Sequence, residues 1–256
     1  MQTLRQTGWM VVRQARNLMR EPIWIAMMVI QPMLWLILYG QLFRNVGAQG
    51  HTSGSYVEFL TPGIVCMNAF FGGTWAGMAM ISDLDRHVVD RFLAAPASRL
   101  AIVLSQVVRA GITAILQALI LLLVGLALGV RVHGGFVGWL IVLAASFLLA
   151  MVFAGFSNGI ALLLRREASM IATANFVGLP LMFLSSILVT TALMPGWIRA
   201  IARFNPVNWG VDAARRAVVY GSGYGSAGAH LGFLLAAVVA TALFATWCFR
   251  AYQRSI

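Results

Sequence analysis

The chain has 256 residues, 61% of them hydrophobic and only 10% charged, with a mean hydropathy of +0.86. A soluble domain is about 45–50% apolar and about 25% charged, so no water-soluble fold could hide this excess. The net charge is +11 and all 18 basic residues are arginine; without lysine, neither a P-loop nor a Schiff-base enzyme can reside here.

The expected fold is all-α: a polytopic membrane protein with six transmembrane helices, an N-terminal amphipathic interfacial helix and an outer re-entrant helical hairpin. Residues 1–22 form the first element. Leu4, Gly8, Val11, Val12, Ala15, Leu18 and Met19 recur at helical spacing, with Arg5, Arg13, Arg16 and Arg20 on the other side. That pattern is a basic helix suited to the membrane interface. It does not read as a signal peptide, because its polar residues run up to the first apolar stretch. Residues 23–256 then read as a single membrane domain. A spanning helix needs about twenty apolar residues, and the candidates are Ile23–Phe43, Val57–Ile81, Ala101–Val130, Phe136–Leu164, Met170–Leu193 and Leu231–Phe249. Trp24, Trp35, Tyr39, Trp139, Trp197 and Trp247 lie mainly near their ends, as interfacial belts do. Gly73–Gly77, Gly125–Gly129 and Gly155–Gly159 have the spacing that lets helices approach closely, although a glycine-rich chain produces such pairs by chance.

The segment between the second and third spans, about 83–99, carries the most polar information. Leu84, Val88, Phe92 and Ala95 share one helical face with charges elsewhere. Ser82 or Asp83 can cap the start, and Pro96 stops the helix. It reads as a short amphipathic helix built to touch a cytosolic partner. Between the fifth and sixth spans, at about 194–220, Trp197, Ile198, Ile201 and Phe204 form an apolar stripe flanked by Arg199 and Arg203. Asn205-Pro206 breaks the chain, and Asn208 is placed to cap a second short helix whose face is Val211, Ala214 and Val218. Two such helices suggest a hairpin lying in or on the membrane, its stripe packed into the mouth of the bundle and Arg199, Arg203, Arg215 and Arg216 reaching headgroups or water. Gly221 to Gly228 reads as a flexible connector.

The arginines sit mostly in short segments between apolar runs, a distribution that points to anionic headgroups and topology rather than nucleic acid. With the N-terminus inside, cytoplasmic segments hold eleven arginines against six outside, which favours both termini in the cytoplasm. The four arginines between Met194 and His230 run against this, and an odd number of spans would remove the conflict. Arg109, near the inner end of the third span, can snorkel.

Chemistry on the chain itself is not indicated. Cys66 and Cys248 lie in apolar runs without ligand spacing, and His51, His87, His133 and His230 are scattered among connections, so no catalytic or metal residue is assigned. An ion-coupled transporter would carry an acid inside the bilayer. Glu21, Glu58, Asp83, Asp85, Asp90, Glu167 and Asp212 all fall at span edges or in loops. That class, and a membrane-embedded structural or enzyme subunit, are the alternatives.

Asp90-Arg91-Phe92-Leu93-Ala94-Ala95-Pro96-Ala97-Ser98-Arg99 resembles the acidic-x-Leu-Leu-x-x-Pro-x-Ser-Arg segment of permease subunits in the second ABC-transporter membrane superfamily (ABC-2 type), which includes the daunorubicin-resistance drug-export permeases. A second match begins at Pro180-Leu181-Met182-Phe183-Leu184-Ser185-Ser186 and continues through Met194-Pro195-Gly196-Trp197-Ile198. It then takes in Phe204-Asn205-Pro206 and Asp212-Ala213-Ala214-Arg215-Arg216. His87 departs from the glycine that many members carry.

The resemblance implies an ATP-driven exporter whose permease halves pair, as a homodimer or heterodimer, and bind two copies of a separate cytoplasmic ATP-binding subunit. ATP and Mg belong to that partner, and this chain carries no cofactor. The coupling helix would use Asp83, Asp85, Arg86, His87, Asp90, Arg91, Phe92, Pro96 and Arg99. The hairpin would use Pro195, Trp197, Phe204, Asn205, Pro206, Asp212 and Arg215. The second and fifth spans would supply the substrate pathway and dimer interface through Asn68, Phe70, Phe71, Trp75, Met78, Phe176, Met182, Phe183, Ser185 and Ser186. The expected location is the cytoplasmic membrane of a bacterium.

Overall fold

The structure is a computed structural model that describes residues 22–42, 56–85 and 99–253. The regular structure among these residues is helical: α1 Pro22–Leu42, α2 Tyr56–Asp85, α3 Arg99–Ala127, α4 Gly135–Leu164, α5 Glu167–Phe183, α6 Gly196–Ala202, α7 Pro206–Arg215 and α8 Tyr224–Gln253. A 3-10 turn covers Thr191–Leu193 and a π-turn covers Arg216–Tyr220. Residues 1–21 and 86–98, which hold the expected interfacial helix and most of the expected coupling helix, lie outside the described residues.

Among the described residues, four helices are long and apolar enough to cross a membrane: α2, α3 from Val103, α4 and α8. α1 from Val29 and α5 are shorter apolar helices. α4 is the hub. It packs against α2, α3 and α8 and is apolar all round, as expected of a helix buried in a bundle. It ends where Arg165 turns left-handed (φ 54°) and donates its N–H back to Ala161, after which Arg166 is extended and α5 begins. Glu167 in the first turn of α5 complements the helix dipole.

Small residues set the closest approaches. A Cβ on Gly73 would lie 2.5 Å from the Ala150 carbonyl oxygen, and one on Gly77 would lie 2.6 Å from that of Ser157. On the other side of α4, Gly155 and Gly159 meet Thr241 and Phe244 of α8. Two of the three glycine pairs are therefore helix contacts. In the third, Gly125 faces Thr61, while Gly129 takes φ 93° and ends α3. A hydroxyl clasp reinforces the α2–α4 seam: Ser157 Oγ accepts from the Gly77 N–H (2.9 Å) and donates to the Thr74 carbonyl (2.5 Å).

Two expectations are corrected here. The fifth apolar run, Met170–Leu193, is not one continuous helix. α5 stops at Phe183, one turn after Pro180, and residues 184–190 leave the helical path, as a helix-interior proline favours. At 17 residues, α5 is about 26 Å long, short of the ~30 Å hydrocarbon core. The connector expected at Gly221 to Gly228 is only 221–223, because α8 begins at Tyr224. Gly221 (φ 57°) and Gly223 (φ 74°) make that reversal, in a backbone region open to glycine without strain.

Candidate functional site

Besides the Thr74–Ser157 clasp of the α2–α4 seam, polar residues inside this apolar bundle gather in two main places. The first is a groove along the seam of α2 and α3. One part of it is a cavity of about 570 Å³ bounded by Gln31, Pro32 and Trp35 of α1, Asn68, Phe71 and Trp75 of α2, Gln117 of α3, and Leu179, Met182 and Phe183 of α5. A second cavity of about 370 Å³ shares Gly72, Trp75 and Gln117 with it and continues to Met78, Gln106, Arg109 and Thr113. Volumes of this order suit a small amphiphile. At the junction Asn68 donates an amide N–H to Gln117 Oε1 (3.0 Å). Two buried amides thus satisfy each other across α2 and α3.

The structure brings together Asn68, Phe71, Trp75, Met78, Met182 and Phe183 of the residues expected to line a pathway. The other four lie elsewhere. Phe70 is fully buried, edge-on to Phe153 with ring centres 4.5 Å apart. Phe176 is 81% exposed and lines neither cavity. Ser185 and Ser186 are buried beneath the hairpin. Sequence reasoning missed the α3 contribution, although Gln106, Arg109, Thr113 and Gln117 recur at helical spacing and mark one polar stripe on an otherwise apolar span.

The second polar gathering is the hairpin. Residues 184–190 leave the helix, so their backbone groups need other partners. α7 and its cap supply them from one face: Asn205, Asn208, Asp212 and Arg215. Asn205 accepts the Val207 N–H as the N-cap of α7, the usual role of an asparagine there. It also donates to the carbonyls of Leu181 (2.7 Å) and Leu184 (3.1 Å). Asn208 accepts the Ser186 N–H and donates to Asp212, whose other oxygen takes the Ser186 hydroxyl. Arg215 donates to the carbonyls of Ser186 (2.7 Å) and Ile187 (3.3 Å) and lies 3.8 Å over the Phe59 ring. Burial lowers the pKa of the Arg215 guanidinium to about 10, against the opposing pull of Asp212, so it stays protonated at neutral pH.

Three expectations about this hairpin are corrected. Asn205, not Asn208, caps the second helix, because the proline at its first position fixes the start. Arg215 is buried instead of reaching water, since it satisfies carbonyls that no backbone donor can. The stripe of Trp197, Ile201 and Phe204 does not fill the bundle: these residues are 64%, 44% and 81% exposed. α7 and the π-turn have taken that space through Val207, Val211, Ala214 and Val218, which are fully buried. Pro195 precedes α6 and is exposed, while Arg199 donates to the carbonyls of Thr191 and Met194.

Of the expected coupling residues, Arg86, His87, Asp90, Arg91, Phe92 and Pro96 lie outside the described residues. Asp85 ends α2 and Arg99 begins α3. Asp83 accepts a hydrogen bond from Gln106 Nε2 (2.9 Å), tying the ends of α2 and α3 together where the segment between them departs.

A family profile described as ABC-2 type transporter matches residues 5–219. The chain is 31% identical over 208 residues to the transport permease ycf38 of Cyanophora paradoxa, covering 80% of this chain and 71% of that one. It is 26% identical over 198 residues to the daunorubicin resistance ABC transporter permease protein DrrB1 of Streptomyces coeruleorubidus, covering 76% and 68%. To the doxorubicin resistance ABC transporter permease protein DrrC of Mycobacterium tuberculosis it is 24% identical over 215 residues, covering 84% and 75%.

Proposed function

This chain belongs to the ABC-2 type transporter family and is the membrane permease subunit of an ABC exporter, and from that premise we propose that it carries a hydrophobic or amphiphilic substrate (drug, lipid or glycolipid) out of the cytoplasm. Two permease halves pair in the membrane, and two copies of a separate cytoplasmic subunit bind and hydrolyse MgATP. Six crossings would put both termini in the cytoplasm, with α1, and α5 extended by the non-helical residues 184–190, crossing beside the four longer helices, and the segment 83–99 docks the ATPase. The hairpin caps the outer side. Two relatives named as drug-resistance permeases come from bacteria, which supports a bacterial cytoplasmic membrane.

The groove carries this reading. Its walls combine α1, α2, α3 and α5, with Trp35, Phe71, Met182 and Phe183 giving an apolar path and Asn68 and Gln117 a polar waist. Energy must then enter through a protein contact, since a chain without lysine has no P-loop. A cytoplasmic helix linking α2 and α3 would move both walls of the groove together. The test is co-reconstitution with the ATPase subunit in vesicles and ATP-dependent movement of a fluorescent amphiphile. Movement that needs only an ion gradient, without the ATPase, would favour a secondary transporter and refute the proposal.

A further inference from the structure

Among the described residues, Arg109 is the one cation that lines the groove, and it lies inside the candidate span Val103–Ala127. A charge within an apolar span is costly and faces a partner or a polar cavity. Among the described residues, the Arg109 side chain has no hydrogen-bond or ion-pair partner, and no carboxylate lines either cavity. Asp83, at the end of α2, accepts a hydrogen bond from Gln106 of the polar stripe and lines neither cavity. The charged group on offer here is a donor, the guanidinium of Arg109 with five N–H groups, joined by the indole N–H of Trp75, while the acceptors that line the groove, such as the amides of Gln31 and Gln106, are neutral. The Thr113 hydroxyl already donates to the Arg109 carbonyl. A groove rich in donors and without acidic acceptors is complementary to an anion. Beyond Gln117 the walls turn apolar through Phe71, Met182 and Phe183.

We propose that this groove is a binding site for an anionic amphiphile, with Arg109 and Trp75 holding a phosphate or carboxylate head and the α2–α5 wall holding the tail. A lipophilic cation finds no counter-ion there. Two sources supply this chemistry: an anionic lipid resident in the membrane, or the exported cargo itself. Only the second rests on the exporter reading proposed above.

The test is performed on the full-length permease alone in neutral detergent, without an ATPase, and compares dioctanoyl-phosphatidylglycerol, dioctanoyl-phosphatidylcholine and tetraphenylphosphonium. The anionic lipid should bind about tenfold tighter than the zwitterionic one, the scale of a charge-assisted pair. Arg109→Gln should erase that preference, while Arg131→Gln, exposed outside the groove, should keep it. Should Arg109→Gln fold poorly, Gln117→Glu and Trp75→Phe decide the matter. The first should weaken phosphatidylglycerol and admit the phosphonium, and the second should weaken phosphatidylglycerol alone. Equal binding of the two lipids to the unaltered chain would overturn the proposal, as would Arg109→Gln retaining the preference. Loss of self-association in Arg109→Gln with anion binding intact would also overturn it, by giving the groove to a second copy. Once binding is established, ATP-driven movement of the lipid in vesicles identifies it as cargo. Binding without movement identifies a resident lipid and leaves the site standing.

Discussion

Gly72 and Gly73 are neighbours on α2, yet the structure predicts opposite outcomes for the same substitution. A Cβ on Gly73 would meet the Ala150 carbonyl at 2.5 Å and Phe153 Cβ at 3.0 Å, whereas one on Gly72 would meet only Gln117 Oε1, at 3.8 Å. Relief at Gly73 requires α2 and α4 to separate by several tenths of an ångström, an overpacking cost of about 1–3 kcal/mol. Alanine returns about 0.5–1 kcal/mol in helix propensity at both sites. Gly73→Ala should therefore destabilise by about 1–2 kcal/mol, and Gly72→Ala should stabilise by a few tenths or more. Gly77→Ala should be worse, because it strikes Ser157 Oγ at 2.5 Å and disrupts the clasp to Thr74. Each hydrogen bond lost there adds about 1 kcal/mol. Reversible unfolding in mixed micelles, followed by helicity, measures these differences. Ser157→Gly should partly rescue Gly77→Ala, since it removes the hydroxyl but leaves the Ser157 carbonyl in place. Equal stability of Gly72→Ala and Gly73→Ala would refute the packing of α2 on α4.

Arg215→Lys should loosen the hairpin by about 1–3 kcal/mol, because one ammonium cannot lie flat on Phe59 while reaching two carbonyls; faster proteolysis at Arg199 and Arg203 reads this out. Trp197→Ala with Phe204→Ala, both exposed, should change the stability of the isolated chain by no more than about 0.5 kcal/mol, while lowering export if a second copy or lipid covers that stripe. A cysteine at Ser98 in a chain without Cys66 and Cys248 should react with an impermeant reagent only from the cytoplasmic side; labelling from outside inverts the topology. Reversing Asp85, Asp90 and Arg91 together should reduce ATPase co-purification and coupled turnover, most at low salt where exposed charges are least screened, and intact coupling would move the docking site elsewhere.

The long helices were legible because bilayer physics leaves a helical span few alternatives. Apolar runs bounded by Arg165-Arg166 or by Gly134-Gly135 gave α4 to within a residue. The fifth run shows where that logic fails. Met170–Leu193 is apolar enough to count as a span, but hydropathy cannot tell a helix from a stretch of backbone whose polar groups are met by another element. Pro180 and Ser185-Ser186 were the local warnings, and the partners lay farther along the chain in Asn205, Asn208, Asp212 and Arg215. Their spacing of three, four and three puts four polar residues on one face of a short helix, a pattern with no purpose in an exposed loop. Read that way, the face identifies α7 as the buried half of the hairpin and leaves the stripe of α6 outside.

The groove was half legible for a related reason. The residues of α2 and α5 were expected because the family resemblance points to the second and fifth spans, whereas Gln106, Arg109, Thr113 and Gln117 were diluted by a strongly apolar stretch of the chain. Average hydropathy conceals a polar stripe, and periodicity recovers it. Arg109 is the sharper case: read alone it is an arginine close enough to an interface to snorkel. Its surroundings change that assignment, because Gln106 lies one turn toward the interface and is tied to Asp83, while Thr113 and Gln117 extend the polar stripe inward toward Asn68. A snorkelling side chain needs no polar path deeper in the bilayer. The stripe continues two turns beyond Arg109 to a paired amide at the groove's waist, and a bundle has reason to bury such a path only where something polar passes or stays.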